Sequence, residues 1–355
     1  MRILLFFTIL STVFHCADAS YKIREGQLVP LKDLPYLPIE EHYSCGIAAF
    51  NERNYAVAIP HFHLTSVNDL QGTKGQDSVY YLGLIYYSMG ELDIANDYFS
   101  QYLHLPNSTR FFYDAVNYKF TIAEKFRNGA KRRMYAAKQL PKWLSGKNHA
   151  IEIYTELSCI VPTSEIATYS LYYKGCVLNE CRQYREAIES FQSLISRFPL
   201  HDLAPESYLM ISQCYQNQAV SEPQNPDIVE LAKVSLKHFR QEFPQDPRIE
   251  GVARDVDTIY ETYANGLYQT AQFYERTGEP FAAILYYQRA ILQYPETKVA
   301  ALCCQNLSKL SPLAYQDVIT KLQNDNQQIT IDETHTEIQF GEDWEKVFNL
   351  KSTKS

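Results

Sequence analysis

Small, aromatic and proline residues recur along the chain at a fixed spacing. An alanine is followed four residues later by a large apolar residue, three residues after that by another apolar residue, and five residues later by proline. Residues four and seven apart lie on one face of an α-helix, and proline cannot continue a helix interior. The pattern therefore predicts amphipathic helices that end just before their prolines. Four segments follow it: Ala150-Tyr154-Leu157-Pro162, Ala187-Phe191-Leu194-Pro199, Ala232-Leu236-Phe239-Pro244 and Ala283-Tyr287-Ala290-Pro295.

A second helix is predicted before several of these segments. Weaker copies of the pattern occur at Ala95 with Phe99 and at Ala58 with Phe62. The small residues Gly83, Gly175 and Ala271 stand twelve residues before the alanines at 95, 187 and 283, with short polar turns in between. A helix pair of about 34 residues with small residues at its close contacts is the tetratricopeptide pattern. We therefore predict an all-α fold, a tetratricopeptide-type helical-hairpin solenoid of about six helix pairs over residues 39–310.

The carboxy-terminal repeats carry a more specific resemblance. Residues 263–274 read YANGLYQTAQFY, residues 275–284 read ERTGEPFAAI, and YPET follows at 294–297. Together with the junction FPLHDLA at 198–204, this run resembles the BamD-type (YfiO-type) lipoproteins of the outer-membrane β-barrel assembly machinery. The resemblance covers residues 150–310 and implies a non-enzymatic scaffold that binds a barrel-assembly subunit and unfolded outer-membrane proteins. The repeats before residue 150 and the tail after residue 310 depart from the family pattern.

The first 19 residues have the pattern of an export signal. A positive start is followed at 3–14 by an uncharged apolar run, which is too short to span a bilayer. Ala17-Asp18-Ala19 offers a cleavage site before Ser20, whereas Cys16 offers an alternative, lipidated amino terminus. Both readings place the protein in the periplasm or on the periplasmic face of the outer membrane, and the second attaches it to the membrane surface.

Three segments flank or interrupt the predicted repeats. Residues 20–38 contain three prolines and predict an extended arm. Residues 311–355 predict a polar, partly mobile tail, with a short terminal helix as the alternative. Residues 127–147 are an insertion with seven basic residues and no acidic one. The rest of the chain then has 26 basic and 41 acidic residues, a net charge of −15, so the insertion is either a solvated linker or a contact for an anionic surface. The residues of that candidate contact are Arg127, Lys131, Arg132, Arg133, Lys138, Lys142, Trp143 and Lys147.

Composition and motifs argue against several classes of function. The net charge of −8 disfavours nucleic-acid binding, and the sequence carries no catalytic or phosphate-binding motif. His61 and His63 are two residues apart on a helix and face different directions, so a shared metal is not expected. Asp255 and Asp257 are predicted to be solvated charges. We therefore expect neither enzymatic activity nor a cofactor, since an enzyme on this scaffold would need a paired carboxylate site.

Eight cysteines are scattered along the chain without a C-x-x-C pair. An exported compartment permits disulfides, but the simplest interpretation is that these residues pack between helices as small apolar side chains. The sequence leaves their pairing open.

The 28 tyrosines suggest a binding surface. In tetratricopeptide arrays the first helix of each pair lines a groove, and a groove rich in tyrosine suits peptides with aromatic side chains. The alternative is that these tyrosines pack between repeats. As partners we expect proteins rather than nucleic acid, and a periplasmic adaptor that coordinates cell-wall growth with envelope constriction is a second candidate function. The predicted groove residues are Tyr80, Leu84, Tyr87, Tyr169, Tyr172, Asn179, Leu209, Gln213, Gln216, Tyr268, Gln272 and Glu275.

Overall fold

The computed structural model describes residues 21–24, 27–30, 37–106, 109–132, 142–223 and 225–332. The predicted signal with Cys16, the basic residues Arg133 and Lys138, and the end of the tail lie outside these ranges. Contacts divide the chain into two compact units, Met1–Ser170 and Leu171–Ser355, which we call unit 1 and unit 2.

Unit 1 consists of successive helices with two small antiparallel ladders. Strands β1 (Tyr21–Arg24) and β2 (Gln27–Pro30) pair with each other within the predicted arm. Strands β3 (Lys131–Arg132) and β4 (Leu144–Ser145) pair at the base of the predicted insertion. The helices are α1 (Ile39–Asn51), α2 (Tyr55–Asn68), α3 (Thr73–Ser88), α4 (Leu92–Leu103), α5 (Phe112–Arg127), α6 (Lys147–Ile160) and the start of α7 (Glu165–Glu180).

Unit 2 continues with α7 and seven further helices. These are α8 (Tyr184–Arg197), α9 (Leu203–Ser221), α10 (Asp227–Glu242), α11 (Ile249–Thr277), α12 (Pro280–Gln293), α13 (Lys298–Leu310) and α14 (Pro312–Asp332). The predicted fold class is confirmed within each unit, with six helix pairs up to α12.

The repeated residues form the core as their spacing predicts. All four alanines of the strong segments are buried, and so are Tyr154, Phe191, Leu236 and Tyr287. Each of the helices α6, α8, α10 and α12 ends two residues before its proline. The position of proline therefore sets where these second helices stop, because its ring and missing N–H disrupt a continuing helix.

On three first helices a glycine faces an aromatic ring of the second helix, 16 residues later in sequence. A Cβ added at Gly83 would lie 2.7 Å from the ring of Phe99, and one at Gly175 would lie 2.6 Å from the ring of Phe191. Gly46 has the same relation to Phe62, at 2.9 Å. These glycines let two helices approach closely, and the aromatic ring fills the space that a side chain would occupy.

The helical array continues past the predicted boundary at Leu310. Helix α14 covers the first half of the segment that we expected to be a polar tail. Its Val318 is buried against Cys303, Cys304 and Leu307 of α13, so α13 and α14 form a seventh pair. The pattern of apolar residues does not predict this helix, because most of its residues are polar and only a narrow apolar face contacts the core.

Candidate functional site

Side-chain hydrogen bonds link the first helices of unit 2 to one another. Asn217 of α9 donates from Nδ2 to Oδ1 of Asn179 on α7, at 3.2 Å. Ser212 and Gln216 of α9 donate to the carboxylate of Asp255 on α11, at 2.5 and 3.1 Å. The expectation that Asp255 is a solvated charge is therefore wrong: its carboxylate joins two neighbouring helices. Asp257, two residues away, is exposed as expected.

Five predicted groove residues lie on α7 and α9, and two of them, Asn179 and Gln216, take part in these bonds. All five are half-buried, which leaves part of each side chain in contact with solvent. Together they present aromatic, apolar and amide groups to solvent. We call this the first-helix surface, and it consists of Tyr172, Asn179, Leu209, Gln213 and Gln216.

Tyr172 shows how this surface is anchored. Its ring contacts Phe191 in an edge-to-face arrangement, with centroids 5.7 Å apart. Burial and the nearby Cys176 thiol raise the pKa of its hydroxyl, so the hydroxyl stays protonated near neutral pH and can donate a hydrogen bond.

The predicted groove residues Tyr268, Gln272 and Glu275 lie in the second half of α11. Gln272 donates to the Tyr268 hydroxyl at 2.7 Å, and the Tyr287 hydroxyl donates to Glu275 at 2.8 Å. Tyr268 and Gln272 are half-buried, whereas Glu275 is exposed. The polar side chains of this part of α11 therefore form hydrogen bonds with one another and with Tyr287 of α12.

In unit 1 the predicted groove residues differ in how far they are exposed. The prediction that Tyr80 lines the groove is wrong. Tyr80 is 5% exposed and its ring stacks on that of Phe111, with centroids 4.3 Å apart, so it belongs to the core. The half-buried residue at this turn is Tyr81, one position later. Leu84, Tyr87 and Tyr169 are half-buried. The ring of Tyr87 lies 4.0 Å from the Lys125 ammonium, a cation–π contact.

The base of the basic insertion faces carboxylates of unit 1. Arg127 pairs with Glu124 at 2.5 Å. Arg132 and Lys142 each lie 3.5 Å from a carboxylate at the start of α4, Asp93 and Glu91 respectively. These three charges therefore compensate the protein's own acidic groups, which reduces the charge left for an external anionic surface. Lys131 and Trp143 are exposed, and Lys147 is half-buried.

A buried lysine in unit 1 was not predicted. Lys119 of α5 is fully buried and donates to Asn96 at 2.8 Å, to Ser100 at 2.5 Å and to Glu156 at 2.7 Å. Burial lowers the pKa of Lys119, while Glu156 and Asp97 act in the opposite direction. The network joins α4, α5 and α6 through one ammonium group, and its members are too far apart in sequence to form a motif.

A histidine pair joins the first two helices. His42 on α1 and His61 on α2 are both buried, with their Nδ1 atoms 2.9 Å apart. Burial lowers the pKa of both side chains, and His61 lowers that of His42 further. Both rings are then neutral at pH 7, and one Nδ1–H donates to the other Nδ1.

The described residues contain no group of three or more histidine, cysteine or acidic side chains placed to hold a metal ion. None of the helices within those residues has the length and apolar character that crossing a membrane requires.

Sequence comparison identifies the class of protein. Residues 77–108, 169–201 and 266–297 match the tetratricopeptide repeat family. The chain thus contains tetratricopeptide repeats, and repeats of this type are modules for protein–protein interaction.

Individual proteins that resemble this chain have low sequence identity to it. The outer membrane protein assembly factor BamD of Caulobacter vibrioides is 23% identical over 150 residues, which cover 42% of this chain and 49% of BamD. The chain thus matches about half the length of this relative. Among solved structures, MamA is 14% identical with a TM-score of 0.31, covering 59% of this chain and 95% of MamA. A tetratricopeptide repeat protein of Parabacteroides merdae is 13% identical with a TM-score of 0.30, covering 78% and 98%. At these scores neither structure supports a conclusion about function.

Proposed function

We propose that the chain is a non-enzymatic scaffold of the cell envelope that binds extended protein segments on the first-helix surface and assists outer-membrane β-barrel assembly. The observation that carries this proposal is the set of half-buried aromatic, leucine and amide side chains on α7 and α9, two helices that the Asn179–Asn217 hydrogen bond joins. The sequence likeness to BamD supports the cellular role.

The chemistry of this surface suits one kind of ligand. Strands of outer-membrane barrels alternate apolar and polar residues. Tyr172 and Leu209 offer apolar contacts, while Gln213 and Gln216 offer amides that can donate to and accept from a peptide backbone. An extended segment exposes both its alternating side chains and its backbone, so it can satisfy both sets of groups at once.

Peptide binding to purified protein tests this surface. We expect a peptide of alternating aromatic and polar residues to bind, and Leu209→Ala and Gln213→Ala each to weaken binding about five- to thirtyfold, as loss of a single contact of about 1–2 kcal/mol does. Gln192→Ala is the matched control, since Gln192 is exposed on the second helix α8. Equal effects of Gln192→Ala and Gln213→Ala would place peptide binding elsewhere.

The envelope role needs a separate experiment in cells. Mass spectrometry of the mature amino terminus distinguishes a lipidated Cys16 from a terminus at Ser20. We expect affinity purification from envelope membranes to recover a β-barrel assembly subunit. A mature terminus at Ser20 together with recovery of cell-wall proteins alone would favour the periplasmic adaptor instead.

A further inference from the structure

Two cysteines of unit 2 occupy matching positions on neighbouring first helices. Cys176 lies on α7 and Cys214 lies on α9, 38 residues later. The Asn179–Asn217 hydrogen bond joins the same two helices at the same offset of 38 residues, one turn further along. Residues three apart on a helix share a face, so the cysteines lie on the faces that the asparagines bring into contact.

The surroundings of the two thiols differ. Cys214 is fully buried, whereas Cys176 is half-buried and interacts with the Tyr172 hydroxyl. Burial, and to a smaller extent the neighbouring Cys176 thiol, raise the pKa of Cys214 to about 12. Cys176 is therefore the thiol that a reagent in solution reaches first, and Cys214 is the second thiol beside it.

The other cysteines of unit 2 do not have this placement. Cys303 and Cys304 are adjacent on α13 and are both buried. Cys181 follows the end of α7 and has no cysteine at the corresponding offset on α9, where residue 219 is alanine.

We propose that Cys176 and Cys214 are a redox-active pair that forms a disulfide between α7 and α9. The oxidant is a disulfide, either a small one such as oxidised glutathione or an oxidised thiol–disulfide oxidoreductase. The Cys176 thiolate attacks this disulfide and releases one thiol, leaving a mixed disulfide on Cys176. The Cys214 thiol then gives up its proton to the departing thiolate as its sulfur attacks the Cys176 sulfur, which releases the second thiol. Two protein thiols are oxidised and one external disulfide is reduced to two thiols.

The disulfide between Cys176 and Cys214 would hold together the two helices that carry the first-helix surface. Cys176 lies one turn from both Tyr172 and Asn179, so a link to α9 holds α7 and α9 together where a ligand would contact them. Whether the bond forms does not depend on the proposed peptide binding, because it requires only the two thiols and an oxidant.

The test uses the full chain, purified reduced and then incubated with oxidised glutathione. Trypsin without reduction gives residues 175–182 and 198–233 as the peptides that carry Cys176 and Cys214. Because residue 181 is also a cysteine, a Cys181→Ser background makes the assignment unique. We expect the cross-linked pair of peptides to be the main oxidised product, with a Tm about 5–10 °C higher than that of the reduced protein, as expected for a closed loop of this length.

Two variants make the result decisive. In Cys214→Ala we expect glutathione to remain attached to Cys176 and Tm not to rise. Cys176→Ser changes a half-buried thiol and should give no cross-link and no rise in Tm. A wild-type chain that keeps glutathione on Cys176, or that links Cys176 to other cysteines, would overturn the inference, whatever its peptide-binding activity.

Discussion

The contact between Gly175 and Phe191 gives the sharpest prediction about stability. An added Cβ at residue 175 would meet three ring atoms of Phe191, at 2.6, 2.7 and 2.8 Å, and that ring is fully buried. Overpacking of a core costs about 1–3 kcal/mol, whereas replacing glycine by alanine inside a helix gains about 0.5–1 kcal/mol. We therefore expect Gly175→Ala to lower the free energy of unfolding by about 1–2 kcal/mol.

A matched control lies in the same unit. Gly266 is inside α11, and an added Cβ there would meet nothing within 4 Å. Gly266→Ala changes the same atoms without the clash, so we expect it to stabilise by about 0.5–1 kcal/mol. The two variants should thus differ by about 2 kcal/mol and have opposite signs.

Urea denaturation followed by circular dichroism at 222 nm measures this difference, and hydrogen exchange locates it. The loss in Gly175→Ala should appear in the amides of α7 and α8. It should shrink when Phe191 is also replaced by leucine, because the smaller side chain makes room. A Gly175→Ala protein as stable as Gly266→Ala would refute the idea that the glycine sets the helix spacing.

Three further predictions concern the network, the histidine pair and a helix cap. Lys119→Met should lower the free energy of unfolding, measured by chemical denaturation, by about 3 kcal/mol because Glu156 loses its buried partner. An unchanged free energy of unfolding would contradict this. His42 and His61 have pKa values lowered by folding, so the unfolded chain binds more protons below about pH 6.5 and stability should fall as the pH drops from 7 to 5. His42→Gln should weaken that dependence, and an unchanged pH profile would exclude the pair as its source. Thr297 accepts a hydrogen bond from the Ala300 amide at 3.1 Å, so Thr297→Ala should lower the free energy of unfolding by about 1 kcal/mol and lower Tm. The control variant Thr277→Ala, at the end of α11, should leave Tm nearly unchanged.

The parts of the fold that the sequence predicts are those with a local period. The spacing from Ala187 to Phe191 to Pro199 lies within one helix and its end, so a single segment contains the information. The residues of helix α14 are mostly polar, so their spacing alone does not choose between a mobile tail and a terminal helix, whereas the structure shows Val318 packed against α13.

The site illustrates what sequence spacing cannot supply. A shift of one residue on α3 exchanges the buried Tyr80 for the half-buried Tyr81, because neighbouring residues on a helix differ by about 100° in direction. The partners of Asp255 and Lys119 lie on other helices, tens of residues away. Their pairing follows from how the helices stack, which no local pattern encodes.

Site-specific photo-crosslinking in cells tests directly whether the first-helix surface binds unfolded outer-membrane proteins. A photoreactive amino acid replaces Gln213 on the first-helix surface in one strain and Gln192 on the exposed face of α8 in another. We predict that position 213 captures unfolded outer-membrane proteins and that position 192 does not. Capture of these proteins at position 192 alone, or at neither position while the protein is folded and present in the envelope, would contradict it.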